Sequence, residues 1–222
     1  MAGSSAPQTF PTPTIVPLGD SSLLVRFGTT LDDTANRAAI ALALALDHEP
    51  IPGVVEAAPN LVSVLLRYDP LSSAAAAIAG ELRLRLFAPG DTAPATARWT
   101  IATTFNGPDL DEVATALGLA PAAFVAAHNA HPLRVLGTGF APGFVYCGLH
   151  PDDLVLPRRT VVRPSVPAGS VLFAAGQTAI AATEMPTGWH VIGRTDFANF
   201  DPTSEPPTRL SAGDVVVFEA MP

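Results

Sequence analysis

Lysine is absent from the 222 residues, so all 12 basic side chains are arginine. Schiff-base catalysis and the lysine of a phosphate-binding P-loop are thereby excluded. Any bound anion must be held by guanidinium groups, backbone amides or helix ends. Cysteine is nearly absent too. The single Cys147 permits no internal disulfide and supplies no thiolate set for structural zinc, which makes the cytoplasm the expected compartment. Long apolar runs are also missing: the longest, Ala38 to Leu46, falls far short of the roughly 20 residues a spanning helix needs, and no membrane association is expected. The mean hydropathy of +0.34 then reflects alanine, leucine and valine in packed cores. With a net charge of -8 the chain has no cationic surface to displace counterions from a phosphate backbone, which argues against nucleic acid as a partner. The start, "MAGSSAPQTFPTP", has no basic region ahead of an apolar stretch and reads as a disordered leader over residues 1–12, not a signal peptide.

What is present has room for two small domains. "TIVPLGDSSLLVRFG" reads as strand, turn and strand around Gly19-Asp20. In "TLDDTANRAAIALALALDHEP" the alternation of Ile40, Leu42, Leu44 and Leu46 with alanine imitates a strand. Helix is nonetheless expected, because alanine is the best helix former, Thr30 or Asp32 can cap the start, and Pro50 stops the run. "GVVEAAP" and "LVSVLLRYD" predict a hairpin around Pro59-Asn60, and "PLSSAAAAIAGELRLRLF" predicts a second helix capped by Ser72 or Ser73. The strand "ARWTIATTF" either completes a β-α-β-β-α-β sandwich of ferredoxin-like pattern or opens the next domain. Two short helices follow, "PDLDEVATALGL" and "APAAFVAAHNA", the second opening at Pro121. Beyond residue 132 come many short β-rich runs parted by glycine and proline, which predict a barrel or sandwich. The expected organisation is an α+β chain with an α/β domain over residues 13–95, the stretch "APGDTAPAT" as linker, and a β domain over 96–222.

Several short motifs carry candidate chemistry. In "GFAPGF", Gly139 and Gly143 allow left-handed backbone or close approach and Pro142 presets a turn, with Phe140 and Phe144 four residues apart. Such a loop either presents backbone amides to a carboxylate or phosphate beside an aromatic wall, or simply places two phenylalanines in a core. Arg158, Arg159 and Arg163 fall within six positions. Arg158 and Arg163 are candidates for a fork on a carboxylate or phosphate, and Arg159 is read as solvated. "GQT" brings Gln177 and Thr178, and an amide side chain can pair with a lactam edge. "GRT" brings Arg194, which either neutralises a developing oxyanion or pairs with Asp196 or Asp201.

Taken in order, "GFAPGFVYCGL", "PRRTVVRPSVPAGSV", "GQTAI", "GWHVIGRT", "FDP" and "AGDVVVF" resemble the family of allophanate hydrolase subunit 1, KipI and the B subunit of 5-oxoprolinase over roughly residues 128–219. That resemblance implies a ferredoxin-like N-terminal α/β domain and a cyclophilin-like β-barrel after it. It also implies pairing with a larger subunit, of the type of allophanate hydrolase subunit 2 or the C subunit of 5-oxoprolinase. The implied function is that of the small subunit of an ATP-dependent amidohydrolase acting on a small amide or carboxylate, with ATP and Mg bound mainly by or with the partner. The KipI branch implies the alternative of a histidine-kinase inhibitor without catalytic activity. By the same resemblance His128 is a candidate general base or pocket donor, Arg194 a candidate catalytic cation, and Trp189 a substrate contact. The chain departs from the family pattern where "QTGIYP" is commonly found: it carries Ala179, Ala181 and Ala182 at the glycine, tyrosine and proline positions. Leu133 stands where a tyrosine is common after His128, and "PTGW" replaces "PGGW".

Overall fold

In the computed structural model, which describes residues 12–87 and 96–221, Gly19 turns the chain at a left-handed φ of 64°. It joins β1 (Thr14–Leu18) to β2 (Ser22–Arg26), paired antiparallel with Thr14 opposite Arg26. The alanine-rich run is the helix α1 (Asp33–His48). Asp32 caps it, its carboxylate accepting the N–H of Ala35 at 2.8 Å. Ala35, Ala38, Ala39, Leu42, Ala43 and Leu46 form its buried stripe, at three- and four-residue spacing, while Leu44 is only half-buried. The hairpin of β3 (Val54–Asn60) and β4 (Ser63–Tyr68) turns at Leu61-Val62, two residues later than the proline signal suggests. Pro59 sits next to the closing Asn60–Ser63 pair, where the backbone nitrogen points away from the partner strand and no ladder bond is lost. Asn36 of α1 donates to the Leu61 carbonyl at 2.6 Å, and the Phe27 N–H donates to the Val62 carbonyl at 2.8 Å, fixing the turn from both sides.

The second helix, α2 (Ala75–Phe87), passes through Gly80 as expected. Neither serine caps it: the Ser73 hydroxyl donates to the Pro52 carbonyl and that of Ser72 to the Asp69 carbonyl. The chain divides after Pro94 into two units. In the first, the strand order is β1-β2-β4-β3, with α1 packed on β3 and β4 and α2 touching β2. Its core joins Leu23, Val25, Val64 and Leu66 to Ala39, Leu42, Ile78 and Leu82. The edge place beside β2 belongs to β1. "ARWTIATTF" takes the other course open to it and begins the second unit as β5 (Arg98–Thr103). The expected leader and linker fall, apart from Thr12 and Thr96, outside the described residues.

The two short helices are α3 (Leu110–Ala116) and α4 (Pro121–His128), the latter with Pro121 in its first turn. Then come β6 (Leu133–Thr138), β7 (Val145–Gly148), β8 (Arg163–Val166), β9 (Ser170–Ala174), β10 (Gln177–Ile180), β11 (Met185–Thr187), β12 (His190–Arg194) and β13 (Val215–Ala220). Antiparallel pairs run β6-β7-β10-β9-β12, while β13 pairs β6 antiparallel and β5 parallel. The segment after β5 returns along β12: Thr104 and Arg194 exchange backbone bonds, and the N–H groups of Gly107 and Asp109 donate to Ile192 and Val191. Gly107 is required there, since a Cβ would stand 2.2 Å from the Val191 oxygen. The unit is thus mixed α/β, dominated by antiparallel strands. No single helix among the described residues is long and apolar enough to cross a membrane.

Candidate functional site

Side-chain alternation gives the β7-β10-β9-β12 sheet two different faces. Val145, Cys147, Ile180, Val171, Phe173 and Ile192 face α3 and α4 and close a core with Val113 and Phe124. Tyr146, Ala179, Ala174, Leu172, Trp189 and Val191 face the other way, where the antiparallel β8–β11 pair contributes Val166 and Met185. On that second face the aromatic rings meet. Phe144 lies 4.9 Å from Tyr146 and 6.5 Å from Trp189 between ring centroids, and Tyr146 and Trp189 are 6.0 Å apart. Phe140 joins them at 5.7 Å from Phe144, and the Arg158 guanidinium stands 5.6 Å over the Trp189 ring. Burial raises the Tyr146 phenol above its ordinary pKa, and the charge of Arg158 opposes the shift. The wall therefore carries a cation at its open side.

The floor of this site is small by sequence. Ala179 lies opposite Tyr146 in the β10–β7 pairing, and Ala174 lies opposite Gln177 in the β10–β9 pairing. Trp189, one residue before the His190–Phe173 pair, comes beside Ala174, so Gln177 and Trp189 flank that alanine at about 10 Å, two strand spacings. Gln177 shares the face of Ala179 and is 7% exposed, and its Oε1 has no hydrogen-bond partner among the described residues. A buried acceptor left open is costly in a folded protein and fits a ligand N–H. Gly148 makes room for it, since a Cβ there would approach Gln177 Cγ at 3.4 Å and Leu136 at 2.9 Å.

Arg163 and Arg159 are engaged elsewhere. Both reach Asp109, the N-cap residue of α3, which is 4% exposed. Arg163 Nη2 meets its two oxygens at 2.7 and 3.0 Å, Arg159 Nη1 donates at 2.8 Å, and the Val191 N–H donates at 2.7 Å. Arg163 is thus held as a structural counter-ion, and Arg159, read from sequence as solvated, is half-buried beside it. Asp109 itself carries no motif, although its place at a helix start was a readable signal.

The remaining candidates are placed apart from the aromatic face. His128 is 1% exposed among Phe124, Phe173 and Phe218. Its Nδ1 donates to Asn129 Oδ1 at 2.6 Å, so Nε2 accepts from the Thr178 hydroxyl at 2.7 Å, and that oxygen accepts from His150 Nε2 at 2.8 Å. Burial pushes His128 down to about 4, and burial followed by the charge of His128 pushes His150 down to about 3. Both rings are neutral members of a core chain, and neither touches an open site. Thr178 belongs to the same chain, on the face opposite Gln177. Cys147, its thiol pushed up to about 12 by burial, is inert packing. Arg194 is exposed at the far end of β12 from Trp189. It has no ion pair among the described residues and borders a groove of about 420 Å³ with Thr100, Ala102, Thr104, Phe197 and Met221. Gly139, Phe140, Pro142 and Gly143 form the loop that carries Phe144 into the wall. Of the candidates read from the sequence, the structure brings Phe140, Phe144, Arg158, Gln177 and Trp189 to one face, adds Tyr146, and leaves His128, Thr178, Arg163 and Arg194 elsewhere. Tyr146 was accessible to sequence reasoning through the alternation in "VYCG", once the face of Phe144 was known.

The B subunit of 5-oxoprolinase from Bacillus subtilis (strain 168) is 34% identical over 215 residues, covering 90% of each chain. The B subunit of 5-oxoprolinase from Escherichia coli O157:H7 is 37% identical over 174 residues, covering 76% of this chain and 78% of its own. Among solved structures TTHA0988 superposes with a TM-score of 0.80 at 36% identity, over 90% of this chain but only 40% of its own length. Residues 13–210 match the family model of the carboxyltransferase domain, subdomain C and D, and this chain belongs to that family.

Proposed function

We propose that the chain is the B-type subunit of a 5-oxoprolinase-type complex, which opens a cyclic amide with consumption of ATP in the cytoplasm, together with a larger partner of the 5-oxoprolinase C-type. The observation that carries the reading is the unpartnered, buried Gln177 Oε1, on the same sheet face as the aromatic wall that bears the Arg158 cation. A flat lactam with a carboxylate offers one N–H for the amide oxygen, a ring for the wall and a charge for the guanidinium. The names of the relatives support the same substrate. In the same reading the first unit is ferredoxin-like, as the β2-β4-β3 order under two helices suggests. The second is a cyclophilin-like barrel, as the return of the 104–109 segment to β12 suggests.

In this reading ATP and Mg are held mainly by or with the partner. The sequence has no lysine and no glycine-rich phosphate loop, and the described residues contain no group of three His, Cys, Asp or Glu able to hold a metal. These absences support a nucleotide site built mainly by or with the partner, while this chain binds and orients the amide. The test is ATP-dependent 5-oxoproline turnover by the co-expressed complex, comparing wild type with Gln177→Met. The methionine removes an unsatisfied buried acceptor, so melting should hold within about 2 °C, whereas kcat/KM should fall about tenfold or more for the lost ligand bond. No turnover by the wild-type complex refutes the reading, and unchanged kcat/KM in the variant removes Gln177 from it.

A further inference from the structure

The loop 139–144 distributes its hydrogen bonds unevenly. Its carbonyls at Ala141, Gly143 and Phe144 all accept from within the chain: Phe144 N–H donates to Ala141 at 3.0 Å, Gly139 N–H to Phe144 at 3.1 Å, and Asn199 Nδ2 to Gly143 at 2.8 Å. Pro142 has no N–H to give. The N–H groups of Phe140, Ala141 and Gly143 have no acceptor among the described residues. Three donors are left open in four residues while the neighbouring carbonyls are turned inward, which makes the loop locally electropositive.

The loop is also held rigidly. Asn199 is fully buried, and its Oδ1 accepts the Leu210 N–H at 2.8 Å, so its grip on Gly143 is fixed from the far side. Gly143 has a φ of 69°, and a Cβ there would stand 2.5 Å from Phe200 Cβ and 2.8 Å from Ala182 Cβ, so the loop is pressed against two neighbours that leave it no slack. Phe140 is unfavourable on two counts: a non-glycine residue at φ 77° that is 75% exposed. Strain and exposed apolar area at one residue are tolerated where something binds. That ring faces Phe144, the first member of the aromatic wall.

We propose that the amides of Phe140, Ala141 and Gly143 form an anion hole that grips the carboxylate of a small planar ligand, whose flat part lies on the Phe140–Phe144–Tyr146–Trp189 wall. Arg158, across the same wall, sets the sign of the field, and the loop supplies the directed donors. This assignment rests on the reading of the aromatic face as the ligand site. It explains why the loop is built around two glycines and a proline when two phenylalanines alone would serve a core.

The experiment is a titration of the 15N-labelled full chain with 5-oxoproline, its carboxamide, and acetate, followed by amide NMR. The expected result is a saturable downfield shift of the Phe140, Ala141 and Gly143 amides with 5-oxoproline. Gly139 and Phe144, already bonded, should move less, and the carboxamide should bind at least tenfold more weakly. Saturable shifts at the Trp189 indole and the Arg158 side chain without the loop amides would overturn the anion hole and leave the lactam reading standing. Loop amides that answer to acetate but not to 5-oxoproline would keep the hole and remove the lactam. Silence of the three amides toward every carboxylate, or an answer only when a larger partner is added and none to the small acids, overturns the proposal and assigns Phe140 to an interface.

Discussion

Asp109 collects a carboxylate's worth of donors from three directions: two guanidinium groups and the Val191 amide. The carboxylate is nearly enclosed while Arg159 and Arg163 keep side-chain exposures of 23% and 31%, so their attraction is only partly screened. Removing the acid leaves Arg163 without its countercharge, Arg159 with only the exposed Glu112 at 3.5 Å, and one amide without an acceptor. Asp109→Ala should therefore cost about 3 kcal/mol, at the lower end for a broken buried pair because the arginines are part-exposed. Urea unfolding of the variant checks this, and a loss under about 1 kcal/mol would mean the arginines find water instead. Little of this was legible beforehand. An arginine cluster in a sequence shows that cations are close in the chain, but its countercharge lies about 50 residues away in sequence, and only the fold says whether the cluster is free. Arg158 alone of the three is left over for a ligand. For the glycines of the 139–144 loop the reverse holds, because left-handed backbone leaves a mark in the residue type itself.

At the scale of elements, α1 shows how two periodicities can share one segment. Ile40, Leu42, Leu44 and Leu46 alternate as in a strand, yet the buried set follows the helical stripe because alanines at 35, 39 and 43 complete it. Small residues hide the period from a reading of large ones. The cap decides the start, and its value is measurable. Asp32→Ala removes the bond to the Ala35 amide and should cost about 1 kcal/mol, seen as a lower urea midpoint with unchanged slope. Asp32→Asn should recover most of it, since the amide oxygen can still accept. Equal losses in both variants would point to a role outside the cap. The hairpin was found by its neighbours and misplaced by two residues, because Pro59-Asn60 looks like a turn while the real turn, Leu61-Val62, is held by Asn36 and Phe27 from other elements. Long-range bonds of that kind leave no local signal. The course of β5 was undecidable in sequence for the same reason, since its partner β13 lies more than 110 residues further on.

At the scale of the whole molecule, one pH dependence belongs to the second unit. His128 and His150 are buried and neutral there, joined through the Thr178 hydroxyl, and both have folded pKa values below the ordinary 6.5. Between that value and about 4 the unfolded chain takes up protons that the folded chain refuses. Stability from this pair is thus full above pH 6.5, falls as pH drops through about 4 for His128 and about 3 for His150, and levels off only below that. Each refused proton contributes a slope of about 1.4 kcal/mol per pH unit, so two give a loss on the order of a few kcal/mol. Both tryptophans, Trp99 and Trp189, lie in the second unit, and indole fluorescence therefore reports on its unfolding. Urea titrations at about pH 7.5, 6.0 and 5.0 should show the midpoint moving down with acid. In His128→Gln one titrating group is gone and the amide can still meet Thr178, so the slope should fall by about half even where the absolute stability is lower. Carboxylates contribute equally to both proteins and cancel in the comparison. An identical slope in wild type and variant would mean that the ring of His128 already carries its proton in the core, which the direction of the Asn129 and Thr178 bonds argues against.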